Sequence, residues 1–498
     1  MTIESMDDLP DTPLQQVKPA RGRFNNANVV PMLQGFYAPE QIQVMRDRGV
    51  DQRMMFGINP YYMALVKGEA LRDNAGALVL PAMPPSKPLE ALVVPILAEA
   101  DDMSGEKDPS NQIRYSPGSL KGKILHKYDE IVLGYSALAC SAHCRYCYRL
   151  DIFNGSTGKG LIKADELKAY ILDYNRQLAD NDGRDALSGE PRYPIREVLL
   201  SGGDPMVLSN KNLYRYMAAA AEAGVHLVRI GTKEMAFRPQ RFDENFATML
   251  AFFHQNFPGV HVNIVVHFTH PDEMLERDAS NAYVRDAQGH YQWLEPVRRA
   301  LDAVRRFGFV SLENQTPIIA RVNDDALSLR ILQEELRRNN IKPKYLFQCR
   351  EIEGHTAFAV PVEEAWRLHN EAQKGLSDTA RSRFAMSTEW GKLEVVSVID
   401  GPQEDGESIC APDIASVFGD GLVVMKVHRS PASAHSQGDL IIARRNPQAL
   451  WLSDYEDRIV YDGRKGADDK YQRYVLLRRN GQRPLEAEQP VRETAAVD

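Results

Sequence analysis

Cysteine is scarce in this chain, with five in 498 residues, which leaves no material for a disulfide framework. No uninterrupted apolar run approaches the roughly 20 residues that a membrane-spanning helix needs, so no membrane segment is expected. Lys and Arg are scattered rather than massed, and the formal net charge is −8. That pattern argues against a nucleic-acid partner and for a small-molecule one. The opening residues Met1-Thr2-Ile3-Glu4-Ser5-Met6-Asp7-Asp8 lack the basic start and apolar core of a secretory signal. Repeats of fixed period and low-complexity tracts are missing too, which excludes solenoids and fibrous arrays. With 43% hydrophobic residues, the composition is that of a globular protein, long enough for one large enzyme domain with appendages.

Three of the few cysteines stand together. Cys140, Cys144 and Cys147 form Cys-x-x-x-Cys-x-x-Cys within Ala139-Cys140-Ser141-Ala142-His143-Cys144-Arg145-Tyr146-Cys147-Tyr148-Arg149. Three thiolates can hold three irons of a [4Fe–4S] cluster and leave the fourth iron open to an external molecule. The competing reading is a zinc site with His143 as a ligand, but zinc normally takes four ligands and no second Cys pair is present. The spacing resembles the signature of the radical S-adenosylmethionine (SAM) enzymes. An oxygen-sensitive cluster and reduced thiols point to the cytoplasm. Cys349 and Cys410 are left over.

Residues 1–25 are polar and aperiodic and are expected to form a disordered tail. Residues 26–126 read as a helical and loop region broken by Pro-rich stretches. From 127 to 400 a rhythm sets in. Short apolar or β-branched runs fall at Ile131–Leu138, Glu197–Leu200, His226–Ile230, Val260–Phe268, Phe309–Glu313 and Lys344–Cys349. Each is followed by a segment of helical period: Asp165–Leu178, Leu213–Ala223, Glu244–Phe257, Leu294–Phe307, Ala326–Asn339 and Val362–Lys374. Strands alternating with crossover-length helices imply a parallel sheet. Residues 401–498 change to short strand-like pieces at Leu422–Val427, Asp439–Ala443 and Asp457–Tyr461. They are expected to be a C-terminal extension that serves oligomerisation or forms a lid, with a disordered end from about Arg479.

In parallel α/β folds functional groups gather at the carboxyl ends of the strands. The cysteine triad follows the first strand and Ser201-Gly202-Gly203-Asp204-Pro205 follows the second, so both fall on one rim. Gly202 and Gly203 let backbone approach a ligand closely, and their carbonyls can accept from an ammonium such as that of SAM. The same residues also serve a plain strand-to-helix turn.

Taken together these motifs are similar to those of the lysine 2,3-aminomutase family. The resemblance rests on the Cys triad followed by Arg149, Glu197 to Pro205, Val228-Arg229-Ile230-Gly231-Thr232 and Pro239-Gln240-Arg241. It continues through His267-Phe268-Thr269-His270-Pro271, Asn314-Gln315-Thr316, Arg321-Val322-Asn323-Asp324 and Tyr345-Leu346-Phe347-Gln348-Cys349, with Pro60-Tyr61-Tyr62 and His126-Lys127-Tyr128 upstream. It spans about residues 56 to 400. It implies an α/β fold, a partial (β/α)6 TIM-like barrel of the radical SAM type with an N-terminal helical region and a C-terminal extension. It further implies a [4Fe–4S] cluster on Cys140, Cys144 and Cys147, with SAM bound near Gly202, Gly203 and Asp204.

Pyridoxal 5′-phosphate (PLP) is the third implied cofactor, held covalently by Lys392 in Trp390-Gly391-Lys392-Leu393-Glu394. Lys127 matches a residue that meets its phosphate, while Ile131 stands where the family would have a second Arg. His267, His270 and Gln315 fall in matching motifs near SAM or PLP. Arg149 occupies the place of the Arg that grips the substrate α-carboxylate, for which a guanidinium fork is suited. An electron donor such as flavodoxin or ferredoxin, a small amino acid as substrate and a homo-oligomer follow from the same resemblance.

The reaction implied is migration of an α-amino group to Cβ, giving a β-amino acid. Lysine-specific members carry an Asp where this chain has Arg350. A guanidinium would repel a lysine side chain and suit a carboxylate, so a glutamate-like substrate is expected. Glu389, three residues before Lys392, is placed to neutralise Arg350 or bind a cation. The alternatives are lysine 2,3-aminomutase proper, radical SAM modification of a lysine on a translation factor, and a non-catalytic iron–sulfur or zinc protein.

Overall fold

The computed structural model describes residues 3–12, 20–108, 112–150, 160–186, 189–401, 419–431 and 436–464. Its centre is one mixed sheet of twelve strands whose spatial order follows chain order. We number these strands β1 (Ile124–Tyr128), β2 (Ile131–Ala137), β3 (Glu197–Gly202), β4 (Leu227–Gly231), β5 (His261–Val266) and β6 (Val310–Ile318). The remainder are β7 (Ile341–Gln348), β8 (Arg383–Thr388), β9 (Gly391–Asp400), β10 (Gly421–Arg429), β11 (Leu440–Arg444) and β12 (Ile459–Asp462). Strands β2 to β8 are parallel. β1 adds antiparallel at one end, and β9 to β12 add antiparallel at the other. Among the described residues no pairing joins β1 to β12.

All six strand–helix units expected from the periodicity are present. The crossover helices are α1 (Ala164–Asp180), α2 (Asn210–Glu222), α3 (Glu244–Asn256), α4 (Glu295–Arg305), α5 (Ala326–Arg338) and α6 (Val362–Gln373). Helix α4 shows why: Val297, Ala300, Leu301 and Val304 share one face and are buried, while Arg298, Arg299 and Asp302 take the other and pair with Glu295 or one another. Side chains of Ser209, Asp243 and Asp325 cap α2, α3 and α5 by accepting from the backbone N–H three residues on. β8 is a seventh parallel strand that the sequence pattern did not reveal. Its run, Arg-Phe-Ala-Met-Ser-Thr, is short and half polar, so periodicity is weak there.

The strands after residue 400 extend this sheet. Ile318, Leu346, Phe384 and Met386 of the parallel strands share a hydrophobic cluster with Val423, Met425, Val427 and Ile441. Residues 3–12, within the stretch expected as a tail, are seated against the helices. Asp11 accepts from Asn210 N at 2.6 Å, and Thr12 donates to Asp243 at 2.9 Å. The charged stretch from Arg479 and Cys410 lie outside the described residues. Among the described residues no helix is long and apolar enough to cross a membrane.

Candidate active site

The carboxyl ends of the parallel strands open onto a cavity of about 410 Å³. Each strand delivers something to it: the cysteine loop after β2, Gly202 to Asp204 after β3, Thr232 and Lys233 after β4, and His267 after β5. Gln315 of β6, Arg350 after β7, Ser387 of β8, Lys392 of β9, Arg429 of β10 and Lys127 of β1 complete the wall.

The cysteine loop is tied down from four sides. Arg145, between the second and third cysteines, is fully buried. Its Nε and Nη2 donate to both oxygens of Glu99, at 2.9 and 2.6 Å, and Nη1 donates to Met54 O at 3.0 Å. Arg53 binds the same carboxylate, and burial lowers the Arg53 pKa to about 10. Arg21 donates to Cys140 O, His143 N donates to Gly57 O at 2.8 Å, and Ser141 N donates to Glu234 Oε1 at 3.0 Å. Glu99 therefore balances two buried guanidiniums. Glu99→Gln is expected to destabilise the fold by roughly 3 kcal/mol or more, read as a lower urea midpoint, and to reduce iron incorporation. An unchanged midpoint would show that this network does not hold the loop.

Gly202 and Gly203 are required by a close approach of protein to protein. A Cβ on Gly202, whose φ is +126°, would lie 2.0 Å from Ala137 O, and one on Gly203 would lie 2.4 Å from Ala139 O. The segment leading into Cys140 thus packs directly on the glycine turn. The Gly202 carbonyl, expected to face a ligand, accepts from Arg149 Nη1 at 2.7 Å, and Ser201 Oγ accepts from the same nitrogen at 2.6 Å. Asp204 lines the cavity, but its carboxylate accepts from Met206 N, Thr232 Oγ1 and Lys233 N. It acts as a clamp between β3 and β4, and burial together with Glu234 raises its pKa.

The three cysteine thiols line one end of the cavity. Burial raises all the resolved thiol pKa values, Cys144 to about 12. Such thiols become ligands when a metal displaces their protons. Among the described residues no three His, Cys, Asp or Glu side chains converge as a one-ion site requires. A cluster places one thiolate on each of three irons and needs no such convergence, so the donor set fits it. His143 turns its Nδ1 to Met55 O at 3.1 Å.

The cavity lining is cationic. Seven lining side chains are Lys or Arg and one, Asp204, is a carboxylate. Lys392 Nζ lies 4.2 Å from the centroid of the Tyr345 ring and 5.3 Å from that of Phe347. Burial, then the charges of Arg429, Lys344, Arg229 and Arg350, bring its pKa down to about 7. Lys127 donates to Thr388 O at 2.7 Å, and burial lowers its pKa to about 7 also. Arg350 turns inward: its Cζ sits 4.0 Å from the Tyr148 ring centroid and Nη2 donates to Ser387 Oγ at 3.1 Å. Its Nη1 is buried and has no hydrogen-bond partner among the described residues. Arg149 stacks on the same Tyr148 ring, at 4.9 Å.

Glu389 does not line the cavity, though its charge acts on Lys127. Its carbonyl accepts from Tyr115 Oη, and no ion pair joins its carboxylate to Arg350 among the described residues. His267 and Gln315 line the cavity, whereas His270 is buried outside it with Nδ1 accepting from Asp272 N.

No family model matches the chain. Its sequence is 28% identical to a provisionally named L-lysine 2,3-aminomutase of Aquifex aeolicus (strain VF5), over 82% of this chain and 90% of that protein. It is 25% identical to the glutamate 2,3-aminomutase of Clostridioides difficile (strain 630), over 64% of this chain and 62% of that protein. The L-lysine 2,3-aminomutase of Methanococcus maripaludis is 25% identical over 61% of this chain and 57% of that protein. By these relatives the chain is similar to the lysine 2,3-aminomutase family. Like these relatives it is an enzyme of the isomerase class.

Three further residues of this aminomutase site escaped the motif reading. Lys233 Nζ donates to His267 O, Thr269 Oγ1 and Glu273 Oε1 at 2.7, 3.0 and 2.7 Å, and its charge bears on the Cys144 thiol. Its place one residue after the Gly231-Thr232 strand end was a usable signal. Glu99 and Arg429 carried none, being far in sequence from every motif they serve.

Proposed function

We propose that this aminomutase uses SAM on a [4Fe–4S] cluster together with PLP, and moves the α-amino group of an acidic, glutamate-like amino acid to Cβ. The sheet is read as a partial (β/α)6 barrel of the radical SAM type, a reading supported by its six strand–helix units and by functional groups gathered at one rim. Cys140, Cys144 and Cys147 would hold the cluster, and Lys392 would hold PLP. When bound, these groups would supply a carbon radical that takes hydrogen from Cβ and a π-system that delocalises the unpaired electron while nitrogen migrates. A flavodoxin- or ferredoxin-like electron donor is part of this reading.

What the chain itself does is position and shield. Lys392, with its pKa near 7, offers a neutral amine in about half of the molecules at pH 7. Arg149, close to the glycine turn, is placed to take the α-carboxylate once it leaves Ser201 and Gly202. The buried wall keeps water from a reactive radical.

The observation that carries the substrate reading is Arg350. It faces the cavity with an unbonded guanidinium nitrogen rather than pairing with Glu351, which binds Ser453 instead. A second carboxylate would satisfy it. The relatives named for lysine favour lysine as the competing substrate, whereas the C. difficile relative is named for glutamate.

Anaerobic assay with SAM, PLP, reductant and a panel of amino acids decides between them, with β-isomers detected by mass spectrometry. Glutamate is expected to turn over faster than lysine. Arg350→Gln and Arg350→Asp are expected to lower kcat/KM for the acidic substrate by about a hundredfold, from loss of a charge-assisted contact. Robust β-lysine production with no turnover of glutamate or aspartate would overturn the acidic reading.

A further inference from the structure

Arg429 lies beyond the sequence motifs that carry the resemblance, on the strand that follows residue 400. β9 and β10 pair antiparallel with Lys392 opposite Arg429, and both side chains line the cavity. On the other flank of Lys392, β8 pairs Ser387 with Lys392 and Thr388 with Gly391, and Lys127 Nζ donates to Thr388 O. Arg429 thus faces Lys392 from one neighbouring strand, and the Lys127 amine is tied to the other. Arg429 is anchored without being used up. Its Cζ lies 4.1 Å from the Tyr128 ring centroid, and one nitrogen, Nη2, bonds to Glu130, out of a fork that carries five donors. Ile131, which begins the next strand on this wall, offers an anion nothing.

The chemistry of PLP says what such a pair would bind. Its aldehyde and its phosphate are carried on neighbouring ring atoms, so the phosphate must lie close to the lysine that takes the aldehyde. A phosphate of nearly two negative charges is held best by several cationic donors.

We propose that Arg429 joins Lys127, whose place at the PLP phosphate the resemblance already implies, so that the strand after residue 400 completes the active site. This rests on Lys392 being the PLP lysine, as argued above. It gives the C-terminal segment a role within the reaction site.

The test compares PLP with pyridoxal, which has the aldehyde but no phosphate. Full-length, anaerobically prepared and PLP-stripped protein is dialysed to equilibrium with each, and borohydride reduction followed by peptide mapping locates the bound cofactor. Arg429→Gln also removes a charge that lowers the Lys392 pKa, which touches both ligands alike, so PLP binding is expected to weaken by about tenfold to a hundredfold more than pyridoxal binding. Arg429→Lys, which keeps the charge but not the fork, is expected to fall between. Retained pyridoxal binding also reports that the variant site is folded. Arg429→Gln protein that binds PLP as tightly as wild type would overturn the proposal, and so would equal losses for PLP and pyridoxal. Wild-type protein that takes up PLP on another lysine, or none at all, would overturn the underlying function as well, so the two failures are told apart.

Discussion

Cys144→Ala protein is expected to fold yet to show neither the absorbance of an iron–sulfur cluster nor measurable SAM cleavage. Three protein thiolates are the minimum that leaves one iron of a four-iron cluster open while holding the rest. Removing one exposes a second iron to solvent, and the remaining two ligands do not retain the cluster. The scaffold should survive, because the loop is fixed mainly through Arg145, His143, Ser141 and the Cys140 carbonyl, and Tyr146, which loses its bond to the Cys144 thiol, keeps His267 and Thr269. Iron content, visible absorbance and 5′-deoxyadenosine formation are the measurements, with circular dichroism to confirm folding. SAM cleavage at the wild-type rate in this variant would remove the cluster from the mechanism.

Lys392→Ala is expected to abolish aminomutation, by about a thousandfold or more, and to eliminate borohydride labelling by PLP. The environment of the amine yields a sharper expectation. An ordinary lysine has a pKa near 10.4 and is almost wholly protonated at neutral pH. In the folded protein burial and four neighbouring cations bring Lys392 to about 7. The neutral amine is the form that attacks an aldehyde. Below pH 7 the group is protonated and PLP uptake should fall about tenfold per pH unit, while above roughly pH 8 it should be level. Rapid-mixing measurements between pH 5.5 and 10 give the profile. A rate still climbing from pH 8 to 10 would mean that the capturing lysine is an unperturbed one, and mapping the label to Lys127 or Lys344 would say which.

The orientation of Arg350 shows where reading the sequence runs out. Its identity is plain in the chain, but whether it faces the cavity or pairs with Glu351 depends on how β7 lies beside β8, which presents Ser387 to it. Glu389, close to Lys392 in sequence, was expected to reach Arg350 and does not. One turn of chain separates them, and the antiparallel β8–β9 pairing sends its carbonyl to Tyr115 instead. The glycines of the second strand end were legible as a tight approach, though not what approaches: the partner is the Ala137–Ala139 backbone.

What the sequence determined by itself is local. The cysteine triad lies within eight residues, and the six strand–helix units are spelled by hydrophobic periods of two and 3.6 that each segment carries alone. Seven parallel strands then bring their carboxyl ends to one rim for any sequence with that alternation. The tertiary structure decided the electrostatics of the cavity. Lys127, Lys392 and Arg429 come from strands β1, β9 and β10, spread over some three hundred residues, and only their pairing in one sheet puts them around a common space. The lowered Lys392 pKa, the shared Glu99 between Arg53 and Arg145, and the inward turn of Arg350 all arise from burial and from charges distant in sequence. Desolvation and Coulomb interactions depend on separations in space, and those separations exist only once the sheet has formed.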